Sequence, residues 1–200
     1  MDGLPQAPIR PRGSALARGL LSLFGWRVDF AGLPARQGVI VVYPHTSNWD
    51  FPIGLLAKWT MGLEVKFWGK DSLFRVPVFG NWMRWLGGVA VNRSVASGLV
   101  AQTVHEMCAA RAEQRLYWLA LAPEGTRSLT AGWRSGFYRV ALGAEVPVLI
   151  ATLDFASKCI RVRDDLFLSG EPGPDMAEIA RLVGAVRGCR PDLASPVTLI

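Results

Sequence analysis

A histidine and an aspartate with four residues between them, His45 and Asp50, stand in the stretch Tyr43-Pro44-His45-Thr46-Ser47-Asn48-Trp49-Asp50. The run Val39-Ile40-Val41-Val42 before it reads as a buried strand, and Phe51-Pro52-Ile53-Gly54-Leu55-Leu56 after it reads as the start of a helix. Where a strand gives way to a helix, both side chains can meet in one turn. The carboxylate then holds one imidazole nitrogen while the other faces a substrate proton, which is a general base with its orienting partner.

Other polar residues follow apolar runs in the same way. Asn92-Arg93 comes after Gly88-Val89-Ala90-Val91, and Pro123-Glu124-Gly125-Thr126-Arg127-Ser128 comes after Leu116 to Leu121. Guanidinium forks match phosphate oxygens bidentately and stay charged, so Arg93 and Arg127 suit a phosphorylated acceptor. Gly125 lets the backbone approach a ligand closely, Thr126 supplies a hydroxyl, and Glu124 either bonds the acceptor's hydroxyl or holds an arginine in place. Competing chemistries fit less well. Ser47 as a hydrolase nucleophile would crowd three catalytic groups into a few residues, and a Gly-x-Ser-x-Gly elbow is absent. His105-Glu106 lacks the second histidine of a zinc-protease motif, and neither a phosphate-binding Gly-x-x-x-x-Gly-Lys loop nor a Gly-x-Gly-x-x-Gly fingerprint occurs. No metal site is expected.

The elements that must position these residues alternate. Strands are expected over Gly38–Tyr43, Glu64–Trp68, Gly88–Val91, Leu116–Leu121, Val146–Leu153 and Lys158–Val162, with helices over Asp50–Met61, Phe79–Leu86, Ser97–Arg115, Gly136–Leu142 and Asp175–Val186. Such β-α alternation predicts an α/β sandwich with a largely parallel central sheet flanked by helices, whose ligands gather at the carboxyl ends of the strands. Between the first two motifs lies a dense apolar cluster that includes Phe74, Phe79, Trp82 and Trp85. It either packs in the core or lines an apolar groove and touches lipid. Trp133, Arg134 and Phe137 follow the third motif and could shape the headgroup side.

Residues 1–36 are expected to form a flexible arm, proline-punctuated to Gly13, and an amphipathic segment; residues 37–200 are expected to form one domain. In the amphipathic segment Leu16, Leu20, Leu23 and Phe24 share a helical face, which either packs on the domain or lies in a membrane interface with Trp26 at headgroup depth. No apolar run reaches the roughly 20 residues of a membrane-spanning helix. With 200 residues, 50% of them hydrophobic, the chain can bury one sizeable core. The net charge of +6 is dispersed, on solvated faces or as an attraction to anionic headgroups and phosphorylated substrates. Nucleic acid is not an expected partner, since zinc-finger spacing and basic helices are both missing. Three cysteines, without a Cys-x-x-Cys pair, point to a reducing compartment, with each thiol a small core residue.

Taken together and in order, His45-x4-Asp50, Gly88-Val-Ala-Val-Asn-Arg93, Pro123-Glu-Gly-Thr-Arg-Ser128 and Val146-Pro147-Val148 resemble the four blocks of the glycerolipid acyltransferases, whose best-known members are the 1-acylglycerol-3-phosphate acyltransferases. The family's Lys-x-x-Leu-Phe-x-x-Pro-x-x-Gly segment is present as Lys70, Leu73, Phe74, Pro77 and Gly80. The resemblance implies His45 as base and Asp50 as its orienter. It also implies acceptor binding by Arg93, Glu124, Gly125, Thr126 and Arg127, largely through the acceptor's phosphate. The implied donor is a fatty acyl thioester of coenzyme A or acyl carrier protein, with no bound cofactor. The implied acceptor is a lysophospholipid hydroxyl, and the implied place is the cytoplasmic face of a membrane. Asn92 stands where many members have Asp, Pro44 where Asn is common, and Ala122 where Phe is frequent. Those departures leave other acceptors open: a lyso-aminolipid, or the hydroxyl of a specialised lipid. A lipid-binding protein without turnover is a further alternative, although a binding role gives no reason for an oriented base.

Overall fold

A computed structural model describes residues 7–91 and 96–200 of the chain. Asn92 and Arg93 fall outside the described residues. The strands are β1 (Arg27–Phe30), β2 (Gln37–Tyr43), β3 (Val65–Lys70), β4 (Gly88–Val91), β5 (Tyr117–Leu121), β6 (Val148–Asp154) and β7 (Cys159–Leu166). Helices α1 (Ala15–Leu23), α2 (Asp50–Met61), α3 (Asp71–Phe74), α4 (Phe79–Trp85), α5 (Ala96–Ala112), α6 (Gly136–Ala144) and α7 (Pro172–Val183) pack around them.

One sheet holds all seven strands in the order β1-β7-β6-β2-β5-β3-β4. β6, β2, β5, β3 and β4 pair in parallel, while β7 runs antiparallel to β6 and carries β1 alongside it in parallel. The largely parallel sheet is therefore as expected. β2 is central because its side chains are apolar on both faces, as a strand covered on both sides requires. Val39, Val41 and Tyr43 enter one core with Met107 of α5, Phe137 of α6 and Ile179 of α7; Ile40 enters the other with Leu21 of α1 and Ala57 of α2. The period-two alternation of a strand thus builds two cores and three layers.

Several expectations are corrected. Residues 27–30, placed outside the main domain from the sequence, form β1 and extend the sheet. The described part of the arm is tied down as well: Ile9 and Leu33 exchange backbone hydrogen bonds of 2.9 and 2.8 Å. Helix α1 begins at an N-cap, Ser14, whose hydroxyl accepts from the Ala17 amide. It packs through Ala17 and Leu21, which leaves Leu16, Leu20, Leu23 and Phe24 exposed. Trp26 is buried rather than presented at a surface, and meets Phe155 edge-on at 4.9 Å. Cys108 and Cys189 are exposed rather than in the core. Trp133 and Phe137 are fully buried and shape no surface.

Candidate active site

The parallel strands bring their carboxyl ends to one edge, and the turn after β2 lies at its centre. There His45 Nδ1 stands 3.1 Å from Asp50 Oδ2. The same oxygen accepts the backbone N–H groups of Thr46 and Ser47, each at 2.8 Å. Asp50 opens α2, where the positive end of the helix favours a carboxylate. The turn thus fixes the aspartate and the aspartate fixes the imidazole. With Nδ1 facing Asp50, Nε2 is left for a substrate, and the His45 side chain is 20% exposed while that of Asp50 is 2% exposed. Ser47 is a turn residue: its hydroxyl accepts from the Trp49 amide at 3.2 Å.

The segment after β5 closes against this turn. Glu124 is 1% exposed. Its Oε2 accepts the His45 backbone N–H at 2.6 Å and its Oε1 accepts that of Ser195 at 2.9 Å. Burial pushes the Glu124 carboxyl above its ordinary range, opposed by those two backbone bonds and by the nearby His45. Glu124 therefore grips the base's own backbone, instead of the acceptor hydroxyl or the arginine expected from sequence. Arg127 donates from Nε to Ser47 O at 3.2 Å, which ties the two loops together and leaves the terminal guanidinium nitrogens for other partners. The Thr126 hydroxyl accepts from the Ser128 amide at 3.3 Å.

Gly125 has a φ of +67°, in the region that favours glycine, and the side chain of Arg134 fills the space beside it. A Cβ there would lie 2.8 Å from Arg134 Cδ and Nε. The glycine thus makes room for an arginine of its own chain. Arg134 is exposed, and its backbone N–H donates to Pro123 O at 2.8 Å.

The four aromatic candidates separate. Phe74 is buried, its ring set against Gly69 and Gly88, so it is core and not lipid surface. Phe79 and Trp82 are partly exposed and meet at a tilt with ring centroids 5.6 Å apart; Trp82 also meets Phe51, the residue after Asp50, edge-on at 6.4 Å. Trp49, two residues before Phe51, is 67% exposed. Trp85 turns instead toward a groove of about 1510 Å³ at the opposite edge of the sheet, lined also by Lys58, Arg84 and Arg115. That groove lies where β3 and β5 begin, away from His45.

Residues that no motif marks also reach the site. Beyond α7 the chain crosses the carboxyl edge, where Gly188 abuts Pro44 and Thr46, the Arg190 amide donates to Thr46 Oγ1 at 3.2 Å, and Tyr43 Oη donates to Ser195 O at 3.0 Å. No local pattern signals these contacts.

The sequence profile of the family described as Acyltransferase matches residues 27–153, which include His45, Asp50 and the Glu124 loop. This chain belongs to the acyltransferase family. Its fold is similar to that of PlsC, a 1-acyl-sn-glycerophosphate acyltransferase from Thermotoga maritima, with a TM-score of 0.52 at 18% identity, over 84% of this chain and 73% of that one. No curated protein matches the sequence. The acyltransferase thus shares a seven-stranded, mostly parallel framework with PlsC.

Proposed function

We propose that this acyltransferase moves a fatty acyl group from a thioester of coenzyme A or acyl carrier protein to the hydroxyl of a lysophospholipid, most simply 1-acylglycerol-3-phosphate, giving phosphatidic acid. The observation that carries the reading is the His45–Asp50 pair at 3.1 Å, held at the carboxyl edge beside the Arg127 guanidinium. His45 Nε2 takes the acceptor's hydroxyl proton as that oxygen bonds to the thioester carbonyl carbon. The tetrahedral adduct expels the thiolate, which receives the proton from the imidazolium. Asp50 holds Nδ1 and stabilises the imidazolium while it exists. The thioester is already activated, so the reaction needs no enzyme nucleophile. A positioned base contributes about 10²–10⁴-fold, and holding the two substrates together supplies the remainder.

Arg127 provides a guanidinium for the acceptor phosphate, with Gly125 and Thr126 forming the adjacent backbone; Arg93, outside the described residues, is assigned the same task by its motif alone. Phe79 and Trp82 offer the acyl chain an apolar surface next to the base. The exposed faces of α1 and of the segment Val76 to Trp82 seat the enzyme on the cytoplasmic surface of a membrane. Among the described residues no helix is long and apolar enough to cross one.

The test is incubation with radiolabelled oleoyl-coenzyme A and oleoyl-acyl carrier protein against a panel of lysophosphatidic acid, lyso-aminolipids and uncharged monoacylglycerol. Phosphatidic acid is the expected product, and His45→Ala is expected to lose at least about 10²-fold in turnover with an unchanged melting temperature. Wild-type turnover in that variant would sink the assignment, and transfer only to other acceptors would replace lysophosphatidic acid.

A further inference from the structure

Outside the matched residues 27–153, the chain beyond α7 makes a series of contacts along the carboxyl edge. Arg187 O accepts the Phe155 amide at 2.8 Å, next to the end of β6. Gly188 then passes so close to the base's turn that a Cβ would lie 2.7 Å from Thr46 Oγ1 and 3.0 Å from Pro44 Cγ. Two residues on, the Arg190 amide donates to Thr46 Oγ1, and Ser195 bonds Glu124. These anchors on both sides set the position of Arg190 against the residue that follows His45. A backbone held this way does not drift as a free tail would.

The Arg190 guanidinium is exposed, and among the described residues it makes no hydrogen bond and no ion pair. The two carboxylates of the site form no ion pair with it among the described residues. Asp50 and Glu124 are both buried and already accept backbone N–H groups. Asp192, its neighbour in sequence, forms no ion pair with it among the described residues. Arg127 has spent Nε on Ser47 O and keeps its terminal nitrogens, and Arg134, over Gly125, has no carboxylate partner among the described residues. Three arginines from three separate segments are therefore held around one turn, Arg127 through its Nε on Ser47, Arg134 beside Gly125 and Arg190 through its backbone on Thr46, and none of them forms an ion pair among the described residues. Guanidinium forks are matched by phosphate oxygens, and a dianion between them would be held by charge-assisted bonds.

We infer that Arg190, carried by the C-terminal segment, completes with Arg127 and Arg134 a subsite for the phosphate of the acceptor. This rests on the acyl-transfer reading above for the identity of the phosphate's owner. A phosphate dianion is also present on coenzyme A, but its phosphates lie at the far end of the pantetheine arm from the thioester. In a lysophosphatidic acid the phosphate sits on the carbon next to the one whose hydroxyl reacts. An arginine whose backbone is anchored to the residue after the base suits the second.

The experiment compares wild type, Arg190→Ala and Arg190→Lys in steady-state kinetics, with each substrate varied at saturating levels of the other and melting temperatures checked. Arg190→Ala is expected to raise KM for the phosphorylated acceptor about tenfold, the loss of one charged hydrogen bond, with a smaller effect on kcat. Lysine, which keeps the charge and loses the fork, should recover part of it. KM for acyl-coenzyme A should stay in place. An unchanged acceptor KM overturns the subsite, and a rise confined to the coenzyme A KM overturns it in favour of the donor's phosphates. A separate calorimetric titration with sn-glycerol 3-phosphate requires no turnover. Binding weakened about tenfold by Arg190→Ala supports the subsite even if no acceptor is acylated, an outcome that would sink the acyl-transfer reading alone. Equal binding, or none to the wild type, overturns the subsite whatever the kinetics show.

Discussion

A carboxylate that is 1% exposed and turns each oxygen to a backbone N–H is aimed into the protein and not at a substrate. Glu124 thereby holds the backbone of His45. Glu124→Gln keeps the shape but sets an NH2 against one of the two N–H donors, which leaves a buried donor unpaired at a cost of about 1–3 kcal/mol. Turnover should fall about tenfold as the base shifts, and the pH dependence of stability identifies the cause. Burial raises the folded carboxyl above 4.5, so as pH rises past that value the unfolded chain releases its proton first and the contribution of Glu124 to stability declines. Glutamine does not titrate. Urea melts should therefore show the variant's deficit widest near pH 4 and narrower at pH 7; a deficit that grows with pH would contradict a burial-raised carboxyl. The His45–Asp50 pair was legible from sequence because both members lie in one turn. The role of Glu124 was not, because one of its partners, Ser195, is 71 residues away and contributes only a backbone amide.

At the level of elements, helical spacing identified the stripe of α1 but not which way it faces. Leu16, Leu20, Leu23 and Phe24 fall on one side, yet the smaller Ala17 and the adjacent Leu21 make the contact with α2 and the core. Small side chains let two helices approach closely, which periodicity alone does not weigh. The same holds in α4, where Gly80 passes the Phe74 carbonyl so tightly that a Cβ would sit 2.2 Å from that oxygen. That approach explains the glycine in the Lys70 to Gly80 segment and buries Phe74 beneath it. Exposed apolar residues beyond α1, among them Val78 and Trp82, lie on the turn before α4 and on α4 itself. Replacing Leu16, Leu20, Leu23 and Phe24 together with serine removes side chains that each contribute about 1.5–3 kcal/mol when fully taken from water. Flotation with anionic vesicles should fall at least about tenfold, with the melting temperature within a few degrees of wild type because all four side chains are exposed. Undiminished flotation would remove α1 as the membrane contact.

Across the whole molecule, the sheet order places β2 between β5 and β6, so His45 emerges at the middle of the edge and loops from both sides can reach it. The C-terminal segment then crosses that edge and is fastened at its far end. Trp133 N–H donates to Thr198 O at 2.6 Å, Ile200 N–H donates to Trp133 O at 2.9 Å, and the Ser195 hydroxyl pairs with Thr130 Oγ1 at 2.9 Å. Ser195 itself is fully buried, and its backbone joins Tyr43 at the end of β2 to Glu124 after β5. Two variants separate what its backbone does from what its side chain does. Ser195→Ala loses the hydroxyl and its bonds to Thr130 but keeps the amide on Glu124 and the carbonyl on Tyr43; it should cost about 1–3 kcal/mol of stability and leave turnover within a few-fold of wild type. Ending the chain after Ala194 removes the amide as well, uncovers Trp133, and leaves a Glu124 oxygen without its partner. Turnover should then fall well beyond the effect of alanine, and tryptophan fluorescence should shift to the red as Trp133 meets water. If the truncated chain turned over as fast as Ser195→Ala, the Glu124 bridge would have no part in holding His45 in place.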